Sequence, residues 1–312
     1  MSSSICGDMK ETKRQVLPAG LWVVATPIGN LNDLTPRALT ALDEADLILC
    51  EDTRRTSALL SALGRVEFLK RLERMDAHTE PKKIQLWVER LQRGTNIAVV
   101  TDAGTPSVSD PGSALVAAAH EAGIRVSPVP GPSAPLALLS VSGFQGTAFL
   151  FRGFFPRSES EQKKELARLS ATETTQTLSD IVIWFESPFR IVKALQTLAA
   201  ELPGVRTVVA KELTKLYEQI FTGPAHAVAE AVATEILATG EVGEWCFAVQ
   251  FPQPDPTLGQ GKSPGDPGWE KALQCLLDAG ISASDSAKRI SQTFGVPKKV
   301  VYLLTLGRTS VD

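Results

Sequence analysis

From Gly20 onward the chain alternates short aliphatic, β-branched runs with longer stretches whose apolar residues recur every three or four positions. That alternation leaves few architectures open, because strand, covering helix and strand in succession build a largely parallel sheet with helices on its faces. The strand candidates are LWVVAT (21–26), DLILCED (46–52), NIAVVTD (96–102) and RVSPVPG (125–131). Between them, TPRALTALDEA, TSALLSALG, KKIQLWVERLQ and GSALVAAAHEAG carry the helical spacing. We read residues 20–145 as a first α/β domain, preceded by a polar tail (1–19) that is predicted to be disordered.

The regularity breaks at GFQGTAFLFRGFFP (143–156), where glycines and a terminal proline surround an aromatic run, and a hinge is expected there. A second α/β domain (146–251) follows. It comprises a helix over 159–171, strand DIVIWFE (180–186), helix SPFRIVKALQTLAAEL, strand TVVAKEL, a helix near 225–237 and strand EWCFAVQF. The Pro- and Gly-rich residues 252–268 suit an exposed linker rather than the interior of an element. Three short helices, WEKALQCLLDAG, SASDSAKRISQTFG and PKKVVYLLTLG, then suggest a helix-turn-helix-like bundle over 269–308.

Composition narrows the functional classes. No apolar run reaches the length of a membrane span, and the N-terminus has no apolar core ahead of a cleavage site, so a cytoplasmic protein without membrane attachment is expected. Cys6, Cys50, Cys246 and Cys275 lie far apart without a CxxC pair, and His78, His120 and His226 lack a ligand spacing, so no metal site is expected. The formal net charge of −3 argues against sequence-blind binding to nucleic acid, which needs clustered cations to neutralise phosphates. An RNA site must therefore be a local patch. Lys70, Arg71, Arg74, Lys82 and Lys83 form one candidate, Arg152, Arg157, Lys163 and Lys164 a second, and Lys298 with Lys299 a third.

In open α/β sheets ligands bind beyond the carboxyl ends of the strands, so the loops that follow the strands carry the functional signal. The first, TPIGNLNDLTPRAL, enters a helix capped by Thr35 with Pro36 in its first turn. Neither GxxxxGK[ST] nor a GxGxxG after a strand occurs, so no ATP or conventional dinucleotide site is indicated. TDAGTPSVSDPG (101–112) packs small residues and prolines ahead of a helix, a composition that lets backbone amides approach an anionic group. VPGPSAPLALL places Gly131 and Ser133 at another strand-to-helix turn, and WFESPFRI ends a strand with Glu186 and Arg190.

The segments TPIGNLNDLTPRALTALDEADLILCEDTRRT, VVTDAGTPSVSDPG, VPGPSA, FESPFRI and AKELTKLYEQIFTG resemble, in order and over most of the chain from Leu21 to Leu306, those of the small-subunit ribosomal RNA methyltransferase I family. That family is a branch of the tetrapyrrole methylase-like superfamily. The resemblance implies two α/β domains with a cleft between them that holds S-adenosyl-L-methionine, a homodimer, and a methyl acceptor on the 2′-oxygen of a cytidine ribose in the decoding region of 16S RNA. By position, Pro27, Asp102, Gly104, Thr105, Val108, Ser133 and Ala134 would contact the cofactor, with Phe185 and Ala248 as walls against its adenine. The superfamily's GxGPGD loop is replaced here by Thr26-Pro27-Ile28-Gly29-Asn30, which speaks against a porphyrin substrate.

A ribose hydroxyl needs a base, or a cation beside the developing alkoxide, and Lys211, Glu212, Glu186 and Arg190 are the ionisable candidates. Rival readings are a methylase of a tetrapyrrole or protein, and a ligand-sensing nucleic-acid-binding protein. The second rival suffers from a C-terminal unit with only six basic against four acidic residues.

Overall fold

A computed structural model describes residues 17–76, 78–107, 112–146, 148–170, 181–251, 267–278, 282–294 and 296–307. The chain divides into two compact units, Met1–Phe251 and Pro252–Asp312.

The first sheet is assembled from β1 (Leu21–Val24), β2 (Leu47–Cys50), β3 (Leu72–Arg74), β4 (Ile97–Val99) and β5 (Val126–Val129), in the order β3-β2-β4-β1-β5. Every pairing in it is parallel, with Leu21 opposite both Ile97 and Val126. Alternation along these strands splits the core in two. Trp22, Val24, Ile48, Cys50 and Ala98 face α1 (Pro36–Glu44) and α2 (Thr53–Ala62), where Ala38, Leu42 and Leu60 meet them. Leu21, Leu47, Leu49, Ile97 and Val99 instead face α3 (Pro81–Gln92) and α4 (Ser113–Glu121), against Trp87, Leu91 and Leu115. Both faces are apolar, so register is fixed by size rather than by polarity, and each fully buried side chain is worth roughly 1.5–3 kcal/mol.

α1 starts where the sequence says it should, whereas α2 begins three residues ahead of the expected TSALLSALG, capped by a residue read as strand. Thr35 Oγ1 accepts from Ala38 N at 3.1 Å with Pro36 in the first turn, and Asp52 Oδ1 accepts from Arg54 N at 2.8 Å. Each cap satisfies an amide that the helix leaves free.

In the second sheet β6 (Leu150–Phe154), β7 (Ile181–Glu186), β8 (Arg206–Lys211), β9 (Gln219–Pro224) and β10 (Trp245–Gln250) run in the order β6-β7-β10-β8-β9. Only β6 and β7 are parallel; β10 lies antiparallel to both of its neighbours, and β8 to β9. One face carries Val182, Trp184, Val209, Phe247 and Val249 against α6 (Glu159–Ser170), α7 (Ile191–Glu201) and α8 (Ala225–Thr239). The opposite face carries Ile183, Val208, Ala210 and Ala248, and it is covered by Leu138 of α5 (Ala134–Val141) and by Ile28. A helix that leaves the first sheet thus roofs the second.

Three strands depart from the sequence reading. β3 falls in residues read only as a basic patch, and it is a three-residue edge whose side chains are half-buried or exposed. β6 occupies the expected hinge. Its aromatic run is a true strand, interrupted by a bulge between Phe151 and Phe154 where Gly153 takes a left-handed φ of 68°. β9 is an edge strand with little buried surface and hence little periodic signal.

The second unit contains α9 (Pro267–Asp278), α10 (Ala283–Phe294) and α11 (Lys298–Gly307) around Trp269, Leu273, Ala287, Ile290 and Val301. Ser282 and Asp285 cap α10 reciprocally: Asp285 N donates to Ser282 Oγ at 3.2 Å, and that hydroxyl donates to Asp285 Oδ2 at 2.7 Å. Among the described residues no helix is long and apolar enough to cross a membrane, and no group of His, Cys, Asp and Glu is arranged to hold a metal.

Candidate active site

A cleft of about 450 Å³ opens where the carboxyl ends of the first sheet meet the second sheet and α5. Its first wall begins at Thr26, whose backbone exchanges two hydrogen bonds with Gly104, N to O at 2.9 Å and O from N at 3.1 Å. Thr26 Oγ1 also donates to Thr101 O at 3.1 Å. The loops after β1 and β4 are therefore stitched together across the sheet. Gly104 takes φ 85°, a conformation that L side chains avoid, and Thr105 Oγ1 donates to Pro132 O at 3.1 Å. This chain of contacts joins three strand-to-helix loops into one surface.

Asp102, Gly104, Thr105, Ser133, Ala134 and Phe185 all line the cleft. Asp102 is anchored twice, accepting from Asp52 N at 3.2 Å and facing Arg55 at 3.4 Å. Ser133 precedes α5 without spending its hydroxyl on a cap, so both that oxygen and the first amides of the helix adjoin the cleft. Pro27 is half-buried beside the lining residue Ile28 but is not itself in the lining. Val108 lies outside the described residues.

The remaining expected residues are not brought to the cleft in the same way. Ala248 sits mid-strand in β10 opposite Ile183 and Val208, with no exposed surface; Cys246 of the same strand lines the cleft instead. Burial pushes the Cys246 thiol up to about 12, which removes it as a nucleophile at neutral pH.

Lys211 shares the face of Val209, turned toward α8. There its Nζ donates to Glu235 Oε1 at 2.6 Å and to Thr239 Oγ1 at 2.8 Å, and it lies 5.5 Å from the Trp245 ring centroid. Its charge is thus neutralised on the far side of the sheet. Glu212 accepts from Lys215 Nζ and from Glu244 N, each at 2.8 Å. Burial pushes its carboxyl up, but these two donors outweigh it and hold it below the usual range.

Of the four ionisable candidates only Glu186 is in the lining, and its side chain is wholly buried. Glu186 Oε1 accepts from Ser187 N at 2.6 Å and faces Arg190 Nη2 at 2.5 Å. Burial holds its carboxyl above the ordinary value despite those donors. The pair shapes the Ser187-Pro188 turn, which itself lines the cleft.

Sequence reasoning missed Glu51 and Arg55, which follow β2, and Gly243, Glu244 and Trp245 at the start of β10. The first two stand in EDTRRT, directly after a strand, where the carboxyl-end rule applies. The other three could not follow from that rule, since β10 is antiparallel and presents its amino end.

As a receptor the cleft combines partly exposed carboxylates (Asp102, Glu244), apolar walls (Ile28, Phe185, Leu213) and helix-terminal amides. That donor set suits a molecule bearing a cation, a flat apolar ring and a carboxylate, which S-adenosyl-L-methionine is.

The family described as Tetrapyrrole (Corrin/Porphyrin) Methylases matches residues 20–229. Among solved structures, diphthine synthase superposes with a TM-score of 0.53 at 16% identity, covering 77% of this chain and 93% of that one. The methyltransferase CobJ gives 0.51 at 19% identity, covering 77% and 98%. A ribosomal RNA small subunit methyltransferase I of Mesorhizobium japonicum is 37% identical over 303 residues, 96% of either chain. One of Xylella fastidiosa is 38% identical over 91% of this chain and 98% of its own, and one of Haemophilus influenzae 42% identical over 90% and 94%. With its two α/β layers, its C-terminal helices and these relatives along nearly its whole length, the chain belongs to the tetrapyrrole methylase family, in the branch of the ribosomal RNA small subunit methyltransferases I.

Proposed function

We propose that this chain transfers a methyl group from S-adenosyl-L-methionine to small-subunit ribosomal RNA, at the 2′-oxygen of a cytidine ribose. The observation that carries the reading is the convergence of Asp102, Gly104, Thr105, Ser133 and Ala134 on one cleft, in a chain whose relatives bear the name of that methyltransferase. In this reading Pro27 and Val108 belong to the same cofactor loops, and Phe185 and Cys246 serve the adenine.

Bound there, the cofactor supplies an electrophilic methyl group on a sulfonium. The chain's own part would be to hold the acceptor oxygen in line with that methyl group, with Asp102, Gly104, Thr105, Ser133 and Ala134 holding the cofactor. Lys211 and Glu212 are engaged elsewhere, and we assign Glu186 and Arg190 to shaping the turn at the cleft. The hydroxyl proton then leaves to water at the open mouth.

We further propose a cytoplasmic homodimer in which residues 20–145 and 146–251 form the two lobes, joined through 252–268 to a bundle (269–308) that engages RNA. The test is methylation of small subunits from cells lacking the protein, using labelled cofactor, followed by mass spectrometry of the nucleosides. Label in 2′-O-methylcytidine is the expected result. Label on a base, or none in RNA, overturns the reading.

A further inference from the structure

The bulge in β6 has a directional effect. Phe151 pairs with Ile183 and Phe154 with Phe185, so three steps on one strand match two on the other. Without the extra residue, strict alternation would turn Phe154 toward the helix-covered core and Phe155 toward the cleft. With it, Phe155 is 1% exposed in the core against Trp184 and Phe247, whereas Phe154 lines the cleft and stays 60% exposed. Phe185 meets the Phe154 ring at 5.8 Å, edge to face, and leaves most of that ring open to solvent. Across the cleft, Arg55, which faces Asp102 at 3.4 Å, lines the wall contributed by the first sheet with its side chain 67% exposed; its neighbour Arg54, outside the lining, is held by Asp52 at 2.6 Å and is still 89% exposed. An open aromatic face on one wall and guanidinium groups on the other are the features that receive an unstacked nucleotide: the ring stacks on the base and the cations meet the phosphates.

We propose that Phe154 is the stacking platform for the base of the acceptor nucleotide, which enters the cleft mouth as an unpaired residue of single-stranded RNA with its backbone running past Arg55 and Arg54. The inference rests on the function proposed above and adds how the substrate is held. Helical RNA offers no exposed base face, so a platform of this kind selects a loop or a splayed-out nucleotide.

The experiment measures kcat and KM for small subunits, and cofactor affinity by titration calorimetry, for the full chain and for Phe154→Ala, Phe154→Leu and Phe154→Trp. Phe154 is largely exposed, and equal melting temperatures check that each variant is folded. The expected result is a fall of about tenfold in kcat/KM for Phe154→Ala, in the range that stacking on one base contributes. Phe154→Leu, which keeps apolar bulk without a π face, should stay low, Phe154→Trp should recover, and the cofactor Kd should move by less than about twofold. An acceptor RNA made abasic at the methylated position should erase the difference between the parent and the Phe154→Ala variant. Recovery by leucine as complete as by tryptophan, a cofactor Kd that weakens in step with activity, or an alanine variant equal to the parent each overturns the platform. If the parent protein itself methylates no small-subunit RNA, the underlying function falls, and the platform with it.

Discussion

Lys211→Met isolates a charge whose role the structure assigns to stability. The Lys211 side chain is 5% exposed and its ammonium holds Glu235 at 2.6 Å, while the Glu235 side chain keeps 14% of its surface. Removing one partner of a fully buried pair costs about 3–5 kcal/mol, because the other charge is stranded. Glu235 retains access to water, so about 2–3 kcal/mol is expected here. For a unit of about 250 residues that is a fall in Tm of about 5–10 °C. The hydrogen bond from Lys211 holds the Glu235 carboxyl below its ordinary value. The sign follows: the stabilisation is complete above the ordinary carboxylate range and disappears as pH falls through the lowered folded-state value.

Circular dichroism melts from pH 7 downward read this directly, with the gap between parent and variant closing in acid. Turnover measured well below the melt should stay within about twofold, and Glu235→Leu in the Lys211→Met background should recover at least half of the lost stability. A variant that melts like the parent yet loses tenfold in turnover, equivalent to about 1.4 kcal/mol of barrier, would refute the reasoning and return Lys211 to the chemistry.

Gly104→Val should weaken cofactor binding at least tenfold by calorimetry while the protein stays folded, since Gly104 holds φ 85° in the stitched loop and a β-branched residue resists it. Gly29→Ala drives a methyl carbon into Lys215 Cγ and to 2.9 Å from Leu213 O. The two loops must separate, and a loss of about 1–3 kcal/mol in a denaturant titration is expected. Glu186→Gln mimics the protonated form that burial favours; its melting temperature should equal or exceed the parent's at and above neutral pH, with the gap narrowing as pH falls and Glu186 takes up its proton. Removal of residues 269–312 should leave cofactor affinity unchanged and reduce methylation of small subunits, as paired calorimetry and activity assays would show.

The first sheet is legible in the sequence because both of its faces are buried, so Leu21–Val24, Leu47–Cys50 and Ile97–Val99 read as continuous apolar runs between amphipathic helices. Its ligand loops follow, since parallel strands present all their carboxyl ends together and Gly104 and Thr105 stand in one of them. Where strand direction reverses, that logic fails. The resemblance implies Ala248 as a cleft wall, but because β10 enters from the cleft, its first residues make the wall and its middle the core. Lys211 illustrates a second limit. Alternation along TVVAKEL does not say which face meets helices and which meets a ligand, and Glu235, its partner, is 24 residues away. The bulge at Gly153 is hidden for the same reason: an extra residue in an aromatic run looks like irregularity until its pairing with β7 is seen.

The order of strands in the second sheet also constrains how the molecule can be made. The first sheet is closed by residues 21–129, so it can assemble while the rest of the chain is still being synthesised. The second cannot, because its central strand is its last: until Trp245–Gln250 emerges, β6-β7 and β8-β9 are two half-sheets with unpaired edges where β10 belongs. Such edges invite pairing with other chains. A stall or nonsense codon shortly before residue 245 would therefore yield an aggregating fragment rather than a smaller working enzyme, although every cleft residue from the first lobe would already be in place.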